Sequence, residues 1–149
     1  MAQLSTGESV VALARDWLGT PYHHRAASKG AGADCLGLIR GIWRARHGAE
    51  PELLLAYSPS WAETGPVETL WQGLARHLVP AAQPADGQVL LFRLQSQALA
   101  KHLGVQCDNG RAFIHACPRA GVTLAPLSRP WARRIVARFN FPPLQEETV

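Results

Sequence analysis

Residues 101–117, KHLGVQCDNGRAFIHAC, divide this chain into a helical half before them and a stranded half around and after them. Two runs of alternating character flank Asn109-Gly110, the dipeptide that most favours a tight hairpin, because both turn positions need positive φ. Pairing Asp108 with Arg111 across that turn sets His102 opposite Cys117. Leu103, Val105, Cys107, Ala112, Ile114 and Ala116 then share one face, wholly apolar or thiol, and that face belongs to a core. His102, Gly104, Gln106, Phe113, His115 and Cys117 share the other. The two histidines are diagonal neighbours there, about 7–8 Å apart at the backbone and within side-chain reach. Gly104, across from His115, leaves room above the backbone for another group.

Further strands are expected at residues 88–93, 122–127 and 134–141, with Pro130-Trp131 a short turn between the last two. Upstream the period is helical. Ser5-Thr-Gly-Glu8 is a capping box for a helix carrying Val10, Val11, Ala14, Trp17 and Leu18, stopped by Gly19 and Pro21. Residues 20–33 read as a polar loop. Asp34 caps a second helix over residues 35–47, with Leu38, Ile39, Ile42 and Trp43 in period and Gly48 at its end. Gly37 and Gly41 lie on one face of that helix at a cost of about 1 kcal/mol each. Close approach by a neighbour, expected to be a sheet, would offset it. Residues 49–62 are irregular, Gly65-Pro66 opens a third helix that Pro80 closes, and residues 84–87 form a turn. Helices first and strands after predict an α+β fold, N-terminal helices packed on a C-terminal antiparallel sheet. One domain is expected over residues 1–141, with a tail at 142–149 that is mobile unless docked.

The chain of 149 residues, 47% hydrophobic and 17% charged, is globular in composition. Its net charge of +4 is thinly spread, with short clusters such as Arg44/Arg46 and Arg133/Arg134. A nucleic-acid stripe is denser, so acidic substrates or an anionic envelope surface fit better. Three cysteines make no disulfide framework, and reduced thiols are expected. The N-terminus lacks a basic segment before an apolar core, and apolar runs such as residues 89–92 are too short to span a membrane. Synthesis in the cytoplasm without a signal peptide is the expectation.

Cys35 stands in the first turn of the second helix, where unpaired N–H groups and the dipole favour a thiolate. A thiolate nucleophile needs a histidine as base and then acid. His102 suits that role, with His115 orienting it as the third member of a triad does. Asp34, a negative charge beside the sulfur, opposes ionisation, so His102 must supply the larger stabilisation. Cys35, His102, His115 and Cys117 also make a candidate Cys₂His₂ zinc set, although the short paired spacing of such sites is missing. Cys107 reads as a core thiol.

Thr20-Pro-Tyr22, Asp34-Cys35-x-Gly-Leu38, His102-x-Gly-Val105 and Phe113-Ile-His115-Ala resemble the NlpC family, papain-like cysteine peptidases of the bacterial cell wall. The order and spacing match from about residue 8 to residue 139. The resemblance implies Cys35 as nucleophile, His102 as base and His115 as third catalytic residue, with no metal or cofactor. It implies that Tyr22 lines the site and binds substrate or the developing oxyanion. The implied substrate is the peptidoglycan stem peptide, cut at a γ-D-glutamyl link to a diamino acid. Leu36 departs from the family's usual Ser, and the loop before Cys35 is less glycine-rich. Residues 24–32 (HRAASKGAG) with 57–61 (YSPSW) look like the phage-tail branch that gene transfer agents share. That branch implies tail hub or baseplate partners and action in the periplasm of a target cell. Arg25, Lys29 and Arg40 are candidates for a stem-peptide carboxylate. Residues 53–61 and 142–149 are candidates for docking. A tail subunit that keeps the fold without catalysis is the rival reading.

Overall fold

In the computed structural model, which describes residues 4–50, 69–96, 98–145 and 147, the capping box closes as the sequence requires. The Glu8 N–H donates to Ser5 Oγ at 3.0 Å and the Ser5 N–H to Glu8 Oε1 at 2.9 Å. Helix α1 spans Thr6–Arg15 and leaves through Gly19, whose φ of 90° reverses the chain. Helix α2 spans Cys35–His47, begun by Asp34 and ended by Gly48 at φ 84°. Between them the expected loop contains a small hairpin of β1 (Ala27–Ser28) and β2 (Gly32–Ala33). Helix α3 is described over Thr69–His77. The expected helix start at Gly65-Pro66 and most of the irregular 49–62 segment lie outside the described residues.

The strands follow as β3 (Val79–Pro80), β4 (Val89–Phe92), β5 (His102–Cys107), β6 (Ala112–Cys117), β7 (Gly121–Pro126) and β8 (Ile135–Asn140). A helical turn α4 (Arg129–Ala132) occupies the expected Pro130-Trp131 turn. The sheet is antiparallel in the order β3-β8-β4-β5-β6-β7, so the last strand returns to lie between β3 and β4. Strand β3 was not expected, since Pro80 read as a helix stop. It survives because it lies on the sheet edge, where a missing N–H is tolerated.

The central hairpin keeps the register read from Asn109-Gly110: Val105 faces Ile114, Gln106 faces Phe113 and Cys107 faces Ala112. Its tip holds Asp108, Asn109 and Gly110 at φ 56°, 54° and 78°. The carboxylate of Asp86 compensates for that strain by accepting the N–H groups of Asn109 (2.6 Å) and Gly110 (2.9 Å). One face of the sheet packs Leu103, Val105, Cys107, Ala112, Ile114 and Ala116 against α1, α2 and α3, as expected. On the other face Leu90, Phe92 and Phe113 form a second cluster, closed by Ala125, Leu127, Trp131 and Ile135. The sheet is therefore covered on both sides beside His102 and His115.

Gly37 and Gly41 do meet close neighbours, but not a sheet. A Cβ on Gly37 would stand 1.8 Å from the carbonyl oxygen of Ala26, and one on Gly41 would stand 2.0 Å from the ring of Trp17. The end of the chain is docked at Glu147, which makes a two-pronged ion pair with Arg46 at 2.7 Å per contact. The fold also sorts charge. Between Gly87 and Pro143 the chain carries Arg93, Lys101, Arg111, Arg119, Arg129, Arg133, Arg134 and Arg138 against Asp108 alone, while acids outnumber bases in the remainder. Among the described residues no helix is long and apolar enough to cross a membrane.

Candidate active site

The nucleophile candidate is placed by Asp34. Its Oδ1 accepts the Gly37 N–H at 2.7 Å, which is the helix cap. Its Oδ2 accepts the Arg25 N–H at 2.7 Å, with His24 Nδ1 at 3.8 Å. Arg25 sits in the left-handed region at φ 65°, a strained position for a residue with a side chain. One buried carboxylate thus starts α2 and pins the loop before it. Two backbone bonds tighten the same loop: Ala33 N–H to Pro21 O (2.9 Å) and His23 N–H to Ala33 O (3.2 Å). They hold Tyr22 beside Ala33, partly buried against the helix-side core. Burial, then the neighbouring Cys35 and Asp34, push the Tyr22 phenol up, so it is a neutral O–H donor at physiological pH.

Cys35 lies against the start of β5. Its Sγ–H donates to the carbonyl oxygen of Lys101 at 3.5 Å, one residue before His102. Burial, then the charge of Asp34, push the thiol up to about 12. The backbone N–H groups of Leu103, Leu36 and Cys35 itself pull the other way and are outweighed. The expectation of a thiolate at the helix start is therefore corrected. The donors and dipole are in place, but desolvation and the N-cap carboxylate outweigh them.

His102 Nε2 and His115 Nδ1 are 2.8 Å apart, with ring centroids at 5.0 Å and planes at 84°. Burial, then His115, bring His102 down to about 3, and burial lowers His115 as well. Both rings are neutral, so a single hydrogen lies between them. If it sits on His102 Nε2, the Nδ1 of His102 carries a free lone pair, which is the arrangement a base toward Cys35 needs. Trp131 of α4 lies 5.8 Å from His102 and 5.5 Å from His115 between ring centroids.

The zinc set does not assemble. The Cys117 thiol is directed to the Gly121 carbonyl at 3.7 Å, and among the described residues no three His, Cys, Asp or Glu side chains gather closely enough to hold a metal ion. Arg40 bonds Glu50 (3.2 Å) and the Arg25 carbonyl (3.3 Å), while Arg44 bonds Glu50 (2.7 Å) and the Ala27 carbonyl. Both arginines hold the pinned loop in place. Lys29 and Arg25 are exposed on that loop. Residues 53–61 lie outside the described residues.

The arrangement of helices and sheet that carries these side chains also occurs in solved structures. The NlpC/p60 domain of the peptidoglycan hydrolase SagA matches 91% of this chain and 98% of its own, with TM-score 0.58 and 20% identity. The fold is the NlpC/p60 fold. A protein similar to lipoprotein of the NLP/P60 family, from Staphylococcus aureus subsp. aureus Mu50, matches at TM-score 0.59 and 17% identity over 97% of this chain and 45% of that one. An NlpC/P60 family protein from Bacillus cereus ATCC 10987 matches at TM-score 0.64 and 18% identity, over 95% and 42%. This chain spans less than half of those last two. Neither a family model nor a curated sequence matches it. Within the NlpC/p60 fold, two features escaped the sequence reading. The second role of Asp34 had no local signal, because its partner Arg25 contributes only a backbone N–H. Trp131 had a weak one: a bulky ring in a short turn between two strands, where small and polar residues are the common choice.

Proposed function

We propose that this chain is a cysteine peptidase that hydrolyses peptidoglycan stem peptides, at a γ-D-glutamyl link to a diamino acid. One observation carries the reading: the bonded pair His102–His115 stands on the hairpin whose preceding carbonyl, that of Lys101, holds the Cys35 thiol. As the sulfur attacks the scissile carbonyl carbon, its proton passes to His102 Nδ1. The imidazolium formed is stabilised by its Nε2–H donated to His115. The oxyanion accepts from the first N–H groups of α2 and from the Tyr22 hydroxyl. Collapse breaks the C–N bond, the leaving amine takes the proton from Nδ1, and a thioester to Cys35 remains. His102 then removes a proton from water and hydroxide adds to the thioester; the C–S bond breaks, the sulfur takes that proton back from His102 Nδ1 as thiol, and the carboxylic acid product releases its own proton to solvent. His115 never leaves its place in this cycle. Its task is to fix the ring and share the transient charge.

Delivery on a phage-like tail or gene transfer agent particle, docked to hub or baseplate proteins and acting in the target periplasm, is part of the proposal. Its support is the resemblance of residues 24–32 and 57–61 to the tail branch. The second reading, a subunit kept for docking alone, draws on the protonated thiol turned to Lys101. Digestion of purified sacculi followed by muropeptide analysis separates the two. The peptidase reading expects a new free amine on the stem peptide, lost in Cys35→Ala and His102→Ala. Equal products from wild type and Cys35→Ala would end it. Recovery of the chain in purified tails, with Cys35→Ala particles that attach but fail to enter, tests delivery.

A further inference from the structure

We propose that the cleft between the hairpin tip and α4 binds the zwitterionic head of an amino acid, Arg138 taking its carboxylate and Asp86 its ammonium. The site lies beyond the peptidase reading, because nothing in it uses Cys35 or the two histidines. The cleft encloses about 600 Å³, a size common for small-ligand sites, and Asp86, Gln106, Asn109 and Arg138 are among its polar lining. Leu127 and Ala132 give it an apolar wall. Gln106 shares a face of β5 with His102, four residues and about 14 Å along the strand from it. Leu90, Phe92 and Phe113 fill that face between them. The same face of the sheet thus carries the histidine pair at one end and this cleft at the other.

Arg138 lies on β8 opposite Leu90 and is partly buried. Its Nη1 donates to Gln106 Oε1 at 2.6 Å and to Gln88 Oε1 at 3.2 Å. Both glutamines are buried, and their other ends are tied as well. Gln88 Nε2 donates to the Gln83 carbonyl at 2.8 Å, and Gln106 Nε2 to Asp86 Oδ1 at 3.1 Å. The amides are therefore fixed in direction and hold the guanidinium by one nitrogen. Among the described residues Nε and Nη2 have no partner, and Arg138 makes no ion pair. That unspent edge is the one that grips a carboxylate through two parallel N–H groups. Burial pushes Arg138 down from the usual guanidinium range, and no neighbouring carboxylate offsets the lost water. Asp86 stands on the same cleft wall, with the Gln106 amide between it and Arg138. Its carboxylate accepts from Gln106 and from the N–H groups of Asn109 (2.6 Å) and Gly110 (2.9 Å). A carboxylate offers about four acceptor sites, so capacity for one more donor remains. A guanidinium needed only for folding would meet that carboxylate directly. Opposite charges kept apart on one wall, each short of partners, instead match a ligand whose carboxylate and ammonium are held apart by one carbon.

The test titrates the full chain at pH 7 with glycine and with 2,6-diaminopimelate, read by nitrogen-15 NMR of the Arg138 Nε–H and of the Gln88 and Gln106 side-chain amides. Both probes should shift these resonances and saturate, with Kd on the order of 1 mM. N-acetylglycine lacks the ammonium and glycinamide lacks the carboxylate, so each should bind at least about tenfold more weakly. Arg138→Gln should weaken glycine at least about tenfold as well. Arg138→Lys keeps the charge without the fork and should fall between, which serves if the glutamine variant unfolds. The proposal is overturned if neither probe moves the resonances by about 50 mM, a concentration well above that Kd. N-acetylglycine binding as well as glycine would remove the role of Asp86, and inorganic phosphate binding more tightly than glycine would make this a phosphate site; either result also overturns it. Binding left unchanged by both Arg138 variants would do the same. No turnover enters these measurements, so their failure and the failure of the peptidase reading are told apart.

Discussion

Alkylation of Cys35 should be slow at neutral pH and should owe little to His102. The thiol is pushed up to about 12, against an ordinary value of 9.0. At pH 7 its thiolate fraction is therefore lower than a free cysteine's by about a thousandfold. A more basic thiolate is also a better nucleophile, and a Brønsted slope of about 0.4–0.5 returns about 15–30-fold of that loss. The net expectation is a rate about 30–60-fold below a free thiol at pH 7, rising roughly tenfold per pH unit toward pH 11. Iodoacetamide labelling read by peptide mapping isolates Cys35 from the core thiol Cys107 and from Cys117. His102→Ala should change the neutral-pH rate by no more than about threefold, since the resting sulfur is bonded to the Lys101 carbonyl. A fast rate, flat from pH 5 to 8 and abolished by His102→Ala, would refute this reasoning. It would show a thiolate–imidazolium pair formed before substrate arrives.

The other expectations concern stability as well as chemistry. His102 is held neutral down to about 3, so its contribution is complete above the ordinary 6.5 and is lost as pH falls toward 3, at up to about 1.4 kcal/mol per pH unit; urea midpoints from pH 7 to 4 check this. Glu147 is lowered from 4.5 to about 2, by its hydrogen bonds to Arg46 before all else. Its support is whole above 4.5 and lost as pH falls through 2. Glu147→Gln should cost the docked tail about 1–3 kcal/mol, the range for hydrogen bonds to a charged group at a partly screened site, read by hydrogen exchange and C-terminal proteolysis. Gly37→Ala should drive its methyl into the Ala26 carbonyl and lower stability by about 1–3 kcal/mol, with Gly41→Ala displacing Trp17 to a similar degree. Asp34→Asn should act in two directions at once: Cys35 alkylates faster, because a charge that raises its thiol is gone, while the melting temperature drops. The drop follows because an amide N–H₂ cannot serve both backbone donors that the carboxylate accepts, a loss of about 1–3 kcal/mol.

What was legible in the sequence was whatever geometry enforces locally. A period of two places Leu103 and His102 on opposite faces whatever packs above them, and Asn109-Gly110 sets the register between strands, so alternation and turn chemistry alone were enough to pair the histidines. Capping works the same way, since Ser5 with Glu8 and Asp34 with Gly37 satisfy groups three residues away. The fold class followed from the order of these elements. Partners beyond that range were not legible. The spacing of Gly37 and Gly41 announced a close neighbour but could not say that it was a carbonyl in one case and an indole in the other. Strands β1, β2 and β3 are two residues each, too short to carry a period. The resting state of Cys35 was misjudged for a related reason. A helix start is visible along the chain, whereas the burial that outweighs it depends on what β5 and the pinned loop lay over the sulfur.

Asp34 makes the deeper point about that sulfur. A carboxylate next to Cys35 raises the thiol and would oppose the proposed chemistry, so a site shaped only for thiolate formation would not keep one there. Its two backbone bonds explain its presence, because without them Arg25 has no reason to hold a left-handed conformation. The loop that places Tyr22 beside Cys35 would then be free to move. Geometry is thus secured at the expense of ionisation, and in the proposed reaction the lost driving force would have to be recovered as the bond forms. In the proposed reaction that burden falls on His102, which would accept the proton as the sulfur attacks. It does so best as a neutral, fixed and dry ring with His115 ready behind it. A buried imidazole pair and an un-ionised cysteine are therefore two sides of one arrangement. Lowering the thiol by removing Asp34 should speed alkylation, which needs only a thiolate, yet slow hydrolysis, which needs Tyr22 and the helix start held in register. If Asp34→Asn accelerated both, the carboxylate would have no positional role and this account of the site would fail.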